Sequence, residues 1–174
     1  SVRRQRQMCI RDRMYSMHQS GFWNLERQTN LLDGAAHFYD TYECKDGKYV
    51  SIGSIEPQFY ALLCEKAELS IDDFGDQMKR DTWQNKKQLI KDVFLTKTRE
   101  EWCDLMEGSD VCFAPVLDMS EAPMHPHNIA RQTFIEIEGV TQPAPAPRFD
   151  RTQNEIILPP AIAGEHSKEI LESI

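Results

Sequence analysis

The 174-residue sequence has 40% hydrophobic residues and a net charge of -8, which is typical of a globular protein with a core. Residues 1–13 carry a charge of +4 and the rest of the chain carries -12, so we expect the acidic bulk to repel nucleic acid. No apolar run approaches the ~18–20 residues that cross a bilayer, and we expect neither a secretory signal nor a membrane location.

The five cysteines are odd in number and contain no Cys-x-x-Cys pair. This pattern argues against a disulfide framework and against a zinc site. We therefore expect a reducing compartment, which is the cytoplasm, or the mitochondrion or peroxisome in a eukaryote. The sequence does not end in Ser-Lys-Leu, so it shows no peroxisomal address.

The first thirteen residues hold five arginines and one acidic residue. They are interpreted either as a basic arm or as non-native sequence. They have no apolar period and stop abruptly where an orderly pattern begins at Met14. We favour the non-native interpretation and leave residues 1–13 out of the fold prediction.

The next elements are a connector and a β-hairpin. Residues 14–32 begin apolar and turn polar, which predicts a helix end followed by an extended connector. Residues 38–44 and 49–55 then alternate apolar and polar side chains with the period of a strand. Asp-Gly lies between them, and this dipeptide between alternating strands is the strongest short-range signal of a hairpin.

The second strand ends at Glu56-Pro57. Proline suits the first turn of a helix, and it pushes the residue before it into the extended region. The chain is therefore predicted to change from strand to helix at Glu56. An apolar helical stripe continues this helix to about residue 69.

Two more helices and a strand follow. Helices are predicted over residues 83–96 and from Arg99, where Thr98 and Glu101 resemble a capping box. Residues 111–117 form an apolar run that contains a proline. This pattern predicts a short strand at a sheet edge or a bulge.

The last part of the chain is less regular. A helical stretch is predicted over residues 128–134 and a strand over 134–140. The prolines of residues 142–149 predict an extended connector, and residues 168–174 a final helix. Together these elements predict an α+β fold with connectors at both ends of a compact middle.

Five segments carry a family resemblance, all in family order and with family spacing: I-E-P-Q-F-Y, G-S-D-V-C-F-A-P-V-L, H-P-H-N-I-A-R, P-A-P-A-P-R-F and G-E-H-S-K-E-I-L. In these the chain resembles the α-methylacyl-CoA racemases of the family III CoA-transferase superfamily, from about Met14 onward. The I-E-P-Q-F-Y segment is the most specific. One departure is Gly34-Ala35-Ala36-His37, where family members commonly have Gly-Gly-Ala-Pro.

The resemblance implies the small domain of a family III CoA-transferase-like fold, followed by a segment that returns to a Rossmann-like large domain absent from this chain. It also implies a homodimer of interlocked chains, and no cofactor, because CoA is part of the acyl-CoA substrate. The expected organisation is a non-native segment at 1–13, a helix end and connector at 14–37, a small α+β domain at 38–140, and a connector with the returning segment at 141–174.

The activity that the resemblance implies is racemisation of branched 2-methylacyl-CoA thioesters in fatty acid metabolism, by proton transfer through an enolate. Glu56 would be one catalytic group, and its histidine and aspartate partners would come from outside this chain. From spacing alone, Glu56 would be interpreted as a helix N-terminal carboxylate that favours the helix dipole.

Three further residues are substrate-binding candidates under the same resemblance. Ile55 would line the acyl site, although a strand residue is more often part of the core. Met14 and Met17 match a methionine-bearing segment that makes an adaptable acyl surface, with packing in a connector as the alternative.

A metal site is not predicted. Glu121, His125 and His127 lie close together in the sequence, but the resemblance covers them with a stretch that has no metal role.

Two alternatives to a racemase stay open. One is a family III CoA transferase that moves CoA between carboxylic acids through an aspartyl thioester. The other is a non-catalytic dimerisation module, which is the role we expect of the fragment in isolation.

Overall fold

The computed structural model describes residues 2–152, 154, 159 and 161–174, in two compact units that divide after Val116. The first unit contains a short 3₁₀-helix, Arg80–Thr82, and the following elements: α1 (Val2–Gln19), β1 (Tyr39–Glu43), β2 (Tyr49–Gly53), α2 (Pro57–Lys66), α3 (Ile71–Phe74), α4 (Trp83–Phe94), α5 (Arg99–Met106) and β3 (Phe113–Val116).

The second unit begins at Leu117. It contains a 3₁₀-helix, Ala122–Met124, and four further elements: α6 (Pro126–Ala130), β4 (Phe134–Ile137), β5 (Val140–Pro143) and α7 (Ser167–Glu172). Among the residues described in either unit, no helix combines the length and the apolar character that a membrane span needs.

The predicted hairpin is confirmed. β1 and β2 pair antiparallel with Glu43 opposite Tyr49, and the backbone of Gly47 in the turn has φ +75°. Glycine adopts this left-handed conformation without the strain that a Cβ would bring. The predicted edge strand is confirmed as well, because β3 pairs antiparallel with β2 at the outside of a three-stranded sheet, with Pro115 opposite Val50.

The core lies between the inner face of this sheet and the helices. Alternate strand residues such as Tyr42, Val50 and Ile52 are buried and point inward. The ring of Tyr42 stacks on that of Phe94 in α4 with centroids 5.2 Å apart, and Phe94 meets Trp102 of α5 edge to face at 5.0 Å. Each large side chain buried in this way contributes roughly 1.5–3 kcal/mol.

The helices begin close to where the sequence predicts. Helix α5 begins with a complete capping box: Thr98 Oγ1 accepts from the Glu101 amide at 3.2 Å, and the Glu101 carboxylate accepts from the Thr98 amide at 2.8 Å. Helix α4 turns its buried residues Trp83, Ile90 and Phe94 inward. Leu89, on the same helix, is 37% exposed.

The second unit differs from the prediction of one strand followed by an extended connector. β4 ends at Ile137 and pairs with β5 through a two-residue turn of Glu138 and Gly139, both with positive φ. Such a turn matches the twist of a hairpin. Glutamate rarely adopts positive φ, so the sequence did not indicate the reversal, and part of the proline-rich segment is a strand.

The segment after α1 also differs from the expected extended connector, because it is folded into turns. Asn30 is buried and organises it. Its side chain accepts from the Asn24 amide at 2.7 Å, and donates to the Asn24 carbonyl at 3.1 Å and to Asp33 at 2.7 Å. The predicted bounds 1–13, 14–37, 38–140 and 141–174 stay predictions.

Candidate active site

Glu56 lies where β2 gives way to α2. It is the residue before the first helical position, with extended backbone (φ -72°, ψ 142°), and Pro57 occupies the first turn. Its carbonyl accepts the amides of Phe59 at 3.1 Å and Tyr60 at 3.0 Å, which closes the first helical turn. The predicted change from strand to helix at Glu56 is therefore confirmed.

The carboxylate of Glu56 is not used by its own helix. The side chain is exposed and makes no capping hydrogen bond to the amides of α2. A glutamate whose purpose was to cap this helix would satisfy one of those amides. The geometry therefore leaves the carboxylate available for another partner, while the positive end of the helix dipole still lies behind it.

The backbone before Glu56 is fixed by buried polar groups. Ser54 is fully buried: its amide donates to the Phe38 carbonyl at 3.0 Å, and its hydroxyl donates to the Val111 carbonyl at 2.5 Å. The Gly53 amide donates to the Cys112 carbonyl at 2.9 Å. The strand end is thus tied on both sides just before the carboxylate.

Gln77 also contacts this strand end, although no sequence pattern indicates such a contact. The Gln77 side-chain amide donates to the carbonyls of Ser54 and Ile55, both at 2.9 Å. A glutamine in a loop belongs to no hydrophobic period and to no motif, so a single sequence carries no signal that points to it.

A cavity of about 500 Å³ lies against the sheet, lined in part by Tyr39, Gly53 and Cys112. Burial, and then the charges of Glu56 and Asp110, raise the pKa of the Cys112 thiol. The charge of Glu56 therefore acts on a residue that lines this cavity.

The same cavity has a charged wall. Asp40 lines it and forms an ion pair with Lys87 of α4, and Lys87 Nζ also donates to the Gly34 carbonyl at 2.5 Å. Both side chains are about four-fifths buried. The charge of the Asp40 carboxylate is thus compensated by Lys87, whereas the side chain of Glu56 is exposed.

Ile55 directly precedes Glu56, whereas the two methionines lie on helix α1. Ile55 is half-buried and packs against the hydrophobic core. Met14 is 36% exposed and Met17 is half-buried, both on α1, where the Met17 carbonyl accepts the amides of Phe22 and Trp23. A role in acyl binding stays a prediction for all three.

The histidines considered for a metal site lie in the second unit. His125 precedes α6 and His127 lies within it. Among the described residues, no group of three histidine, cysteine, aspartate or glutamate side chains is arranged to hold a metal ion.

The profile of CoA-transferase family III matches residues 7–167. The chain belongs to this family. The predicted resemblance is confirmed: the chain is 42% identical to the mouse α-methylacyl-CoA racemase over 156 residues and 39% identical to the human one over 168. Those alignments cover 87% and 91% of this chain.

The chain spans about 40% of the length of these curated relatives, at 40% for mouse and 42% for human. Family III also contains CoA transferases. The human succinyl-CoA:glutarate CoA-transferase is 27% identical over 146 residues, covering 78% of this chain and 33% of its own length.

Solved structures show the same fold. Crystal structures of Rv3272 from Mycobacterium tuberculosis superpose with TM-scores of 0.61 and 0.63, at 18% and 16% identity. They cover 78% and 93% of this chain, and 39% and 43% of Rv3272. The predicted α+β class and the family III fold are thereby confirmed.

Proposed function

We propose that this chain is part of an α-methylacyl-CoA racemase that inverts the 2-methyl centre of branched acyl-CoA thioesters, with Glu56 as one of its proton-transfer groups. The observation that carries the proposal is the I-E-P-Q-F-Y segment, which follows strand β2 and presents an exposed carboxylate that its own helix does not use. The 39–42% identity to curated racemases supports the reaction class.

The reaction removes the proton on C2 and returns a proton to the opposite face. The C2–H bond breaks, its electron pair passes into the enolate of the thioester, and a second group delivers a proton to C2 from the other side. The α-proton is weakly acidic, so a base and a stabiliser of the enolate oxygen are both needed. The chemistry needs no cofactor, because CoA arrives as part of the substrate.

Glu56 would act as one of the two groups at C2. The family resemblance assigns its partners, a histidine and an aspartate, to sequence outside this chain. We also propose that the complete protein is a homodimer of interlocked chains that serves branched-chain fatty acid metabolism, with Ile55, Met14 and Met17 near the acyl chain.

A second candidate is CoA transfer between carboxylic acids. The 27% identity to a succinyl-CoA:glutarate CoA-transferase favours it, since that relative belongs to the same family. The higher identity to the racemases, and the I-E-P-Q-F-Y segment, favour racemisation instead. In isolation, the chain would act only as a dimerisation module.

The test uses the complete protein that contains this chain, incubated with a (2R)-2-methylacyl-CoA in deuterated water. Exchange of the C2 proton is followed by mass spectrometry. Glu56→Gln is expected to slow exchange by at least ~100-fold, the usual contribution of a positioned acid or base.

The matched control is Glu65→Gln, which changes an exposed glutamate within α2. It should leave exchange unchanged. Full exchange in the Glu56→Gln protein would refute the role of Glu56, and transfer of CoA to a free carboxylic acid would replace racemisation by the second candidate.

A further inference from the structure

The loop between α3 and the 3₁₀-helix brings a buried amide to the end of strand β2. Gln77 is 9% exposed, and its side-chain nitrogen donates to the Ser54 carbonyl and to the Ile55 carbonyl, at 2.9 Å in each case. An amide nitrogen of glutamine carries two protons, so both are engaged. The pairing of β2 with β1 ends at Gly53, and these carbonyls lie just beyond that ladder.

The second of these hydrogen bonds acts on the peptide unit that enters Glu56. The Ile55 carbonyl and the Glu56 amide belong to one planar group, so fixing the carbonyl fixes the plane. On the other side of Glu56, its own carbonyl accepts the amides of Phe59 and Tyr60. The two peptide planes that flank the α-carbon of Glu56 are therefore both held, one by Gln77 and one by α2.

The direction of the Cα–Cβ bond follows from those two planes. Glu56 is exposed and its carboxylate makes no capping bond, so its own helix holds the side chain only through the backbone. A rotation of the peptide plane between Ile55 and Glu56 would displace the carboxylate, whose carbon is the third side-chain carbon from Cα. Misplacing a reacting group by about 1 Å can cost ~100-fold in rate.

Gln77 is itself held by a buried frame. The indole nitrogen of Trp83 donates to the Gln77 carbonyl at 2.8 Å, and Trp83 is 4% exposed and meets the ring of Phe38 edge to face. Next to it, Lys86 Nζ donates to the Asp76 carbonyl at 2.7 Å. Gln77 is thus a rigid support.

We propose that Gln77 is a positioning residue for Glu56, fixing through the Ser54 and Ile55 carbonyls the direction in which the carboxylate leaves strand β2. The inference rests on the proposed function, because it needs Glu56 to be the group that moves the C2 proton. Gln77 would act through the backbone, because its buried side-chain amide donates to the Ser54 and Ile55 carbonyls.

The test compares Gln77→Met with wild type in the complete protein, using C2 proton exchange from (2R)-2-methylacyl-CoA in deuterated water. Methionine keeps the length and most of the volume of the side chain but donates no hydrogen bond. A loss of alignment should lower kcat by ~10–100-fold while KM stays within about threefold, because the acyl-CoA contacts are kept.

A double variant separates positioning from general damage. In the Glu56→Gln background nothing remains for Gln77 to position, so adding Gln77→Met should lower exchange no further. A structural defect would lower kcat by the same factor in both backgrounds.

A second pair of variants covers the case in which Gln77→Met does not fold. Trp83→Phe removes the indole bond to Gln77, whereas Trp102→Phe removes an equally buried indole bond, 2.9 Å to the Phe94 carbonyl. Both tryptophans meet a phenylalanine edge to face and carry a cation over the ring. Trp83→Phe should lower kcat several-fold more than Trp102→Phe at similar loss of stability.

Three results would overturn the inference. The first is a kcat of Gln77→Met that is no lower than the kcat of Trp102→Phe. If Gln77→Met does not fold, the kcat of Trp83→Phe takes its place in this comparison. Another is the same fall in kcat with and without Glu56. The last is undiminished exchange in Glu56→Gln itself, which refutes the proposed function and removes the group to be positioned.

Discussion

His37 is a buried residue whose hydrogen bonds define its protonation state. The Tyr60 hydroxyl donates its one proton to the Phe74 carbonyl at 2.9 Å, so His37 Nε2, 2.8 Å from the same oxygen, must be the donor. Nδ1 has no hydrogen-bond partner among the described residues, so a charged ring would leave its second proton unpaired. Burial, with a smaller effect of Lys86, lowers the pKa of His37 to about 3.

This low pKa predicts a loss of stability in acid. The unfolded chain takes up a proton at His37 near its usual pKa of about 6.5, whereas the folded chain does not until pH falls to about 3. The contribution of His37 is therefore complete above pH 6.5. It should fall by up to about 1.4 kcal/mol per pH unit between pH 6 and pH 4.

Urea unfolding of the chain at several pH values measures this slope. His37→Gln should flatten the dependence on pH below 6.5, whatever it does to stability at neutral pH. His127→Gln, at an exposed histidine of α6, is the matched control and should leave the slope unchanged. An equal slope in the wild type and in His37→Gln would contradict the prediction.

Helix α5 is stabilised by its capping box. A threonine at the start of α4 that makes no capping bond provides the comparison. Thr98→Ala removes the acceptor for the Glu101 amide and should lower the free energy of unfolding by about 1 kcal/mol. Thr82 also precedes a helix, but its side chain makes no capping bond and donates instead to the Lys79 carbonyl. Thr82→Ala should therefore cost less, and equal losses in the two variants would argue against the cap.

What the sequence could predict depended on whether a signal was local. Asp-Gly and Glu56-Pro57 dictate their own backbone, so the first hairpin and the strand-to-helix junction were predicted from adjacent residues. The turn at Glu138 uses a backbone that glutamate rarely adopts, and the bond from Gln77 joins residues 22 positions apart. Neither has a pattern in a single sequence, since tertiary packing decides both.

At the scale of the whole molecule, the chain corresponds to one part of its family III relatives. Its match spans residues 7–167, yet it covers only 40–42% of the curated racemases. Glu56 is exposed at the surface of this part. An exposed carboxylate alone provides neither a second proton donor nor a stabiliser of the enolate oxygen.

The 174-residue chain by itself is therefore expected to exchange the C2 proton of (2R)-2-methylacyl-CoA no faster than buffer does. The complete protein, assayed at equal concentration in deuterated water, is the positive control. Turnover by the purified chain would mean that the partner residues are dispensable and that the proposed division of the site is wrong.

Pro115 on β3 affects whether the edge of the sheet can pair with a strand of another molecule. The Gly53 amide donates to the Cys112 carbonyl, so by alternation Ser51 and Ala114 form the next hydrogen-bonded pair, and Pro115 stands opposite Val50 between such pairs. Its nitrogen faces away from β2, where no N–H is required. An incoming strand from another molecule would find no donor there, so this border of the sheet discourages strand-to-strand aggregation.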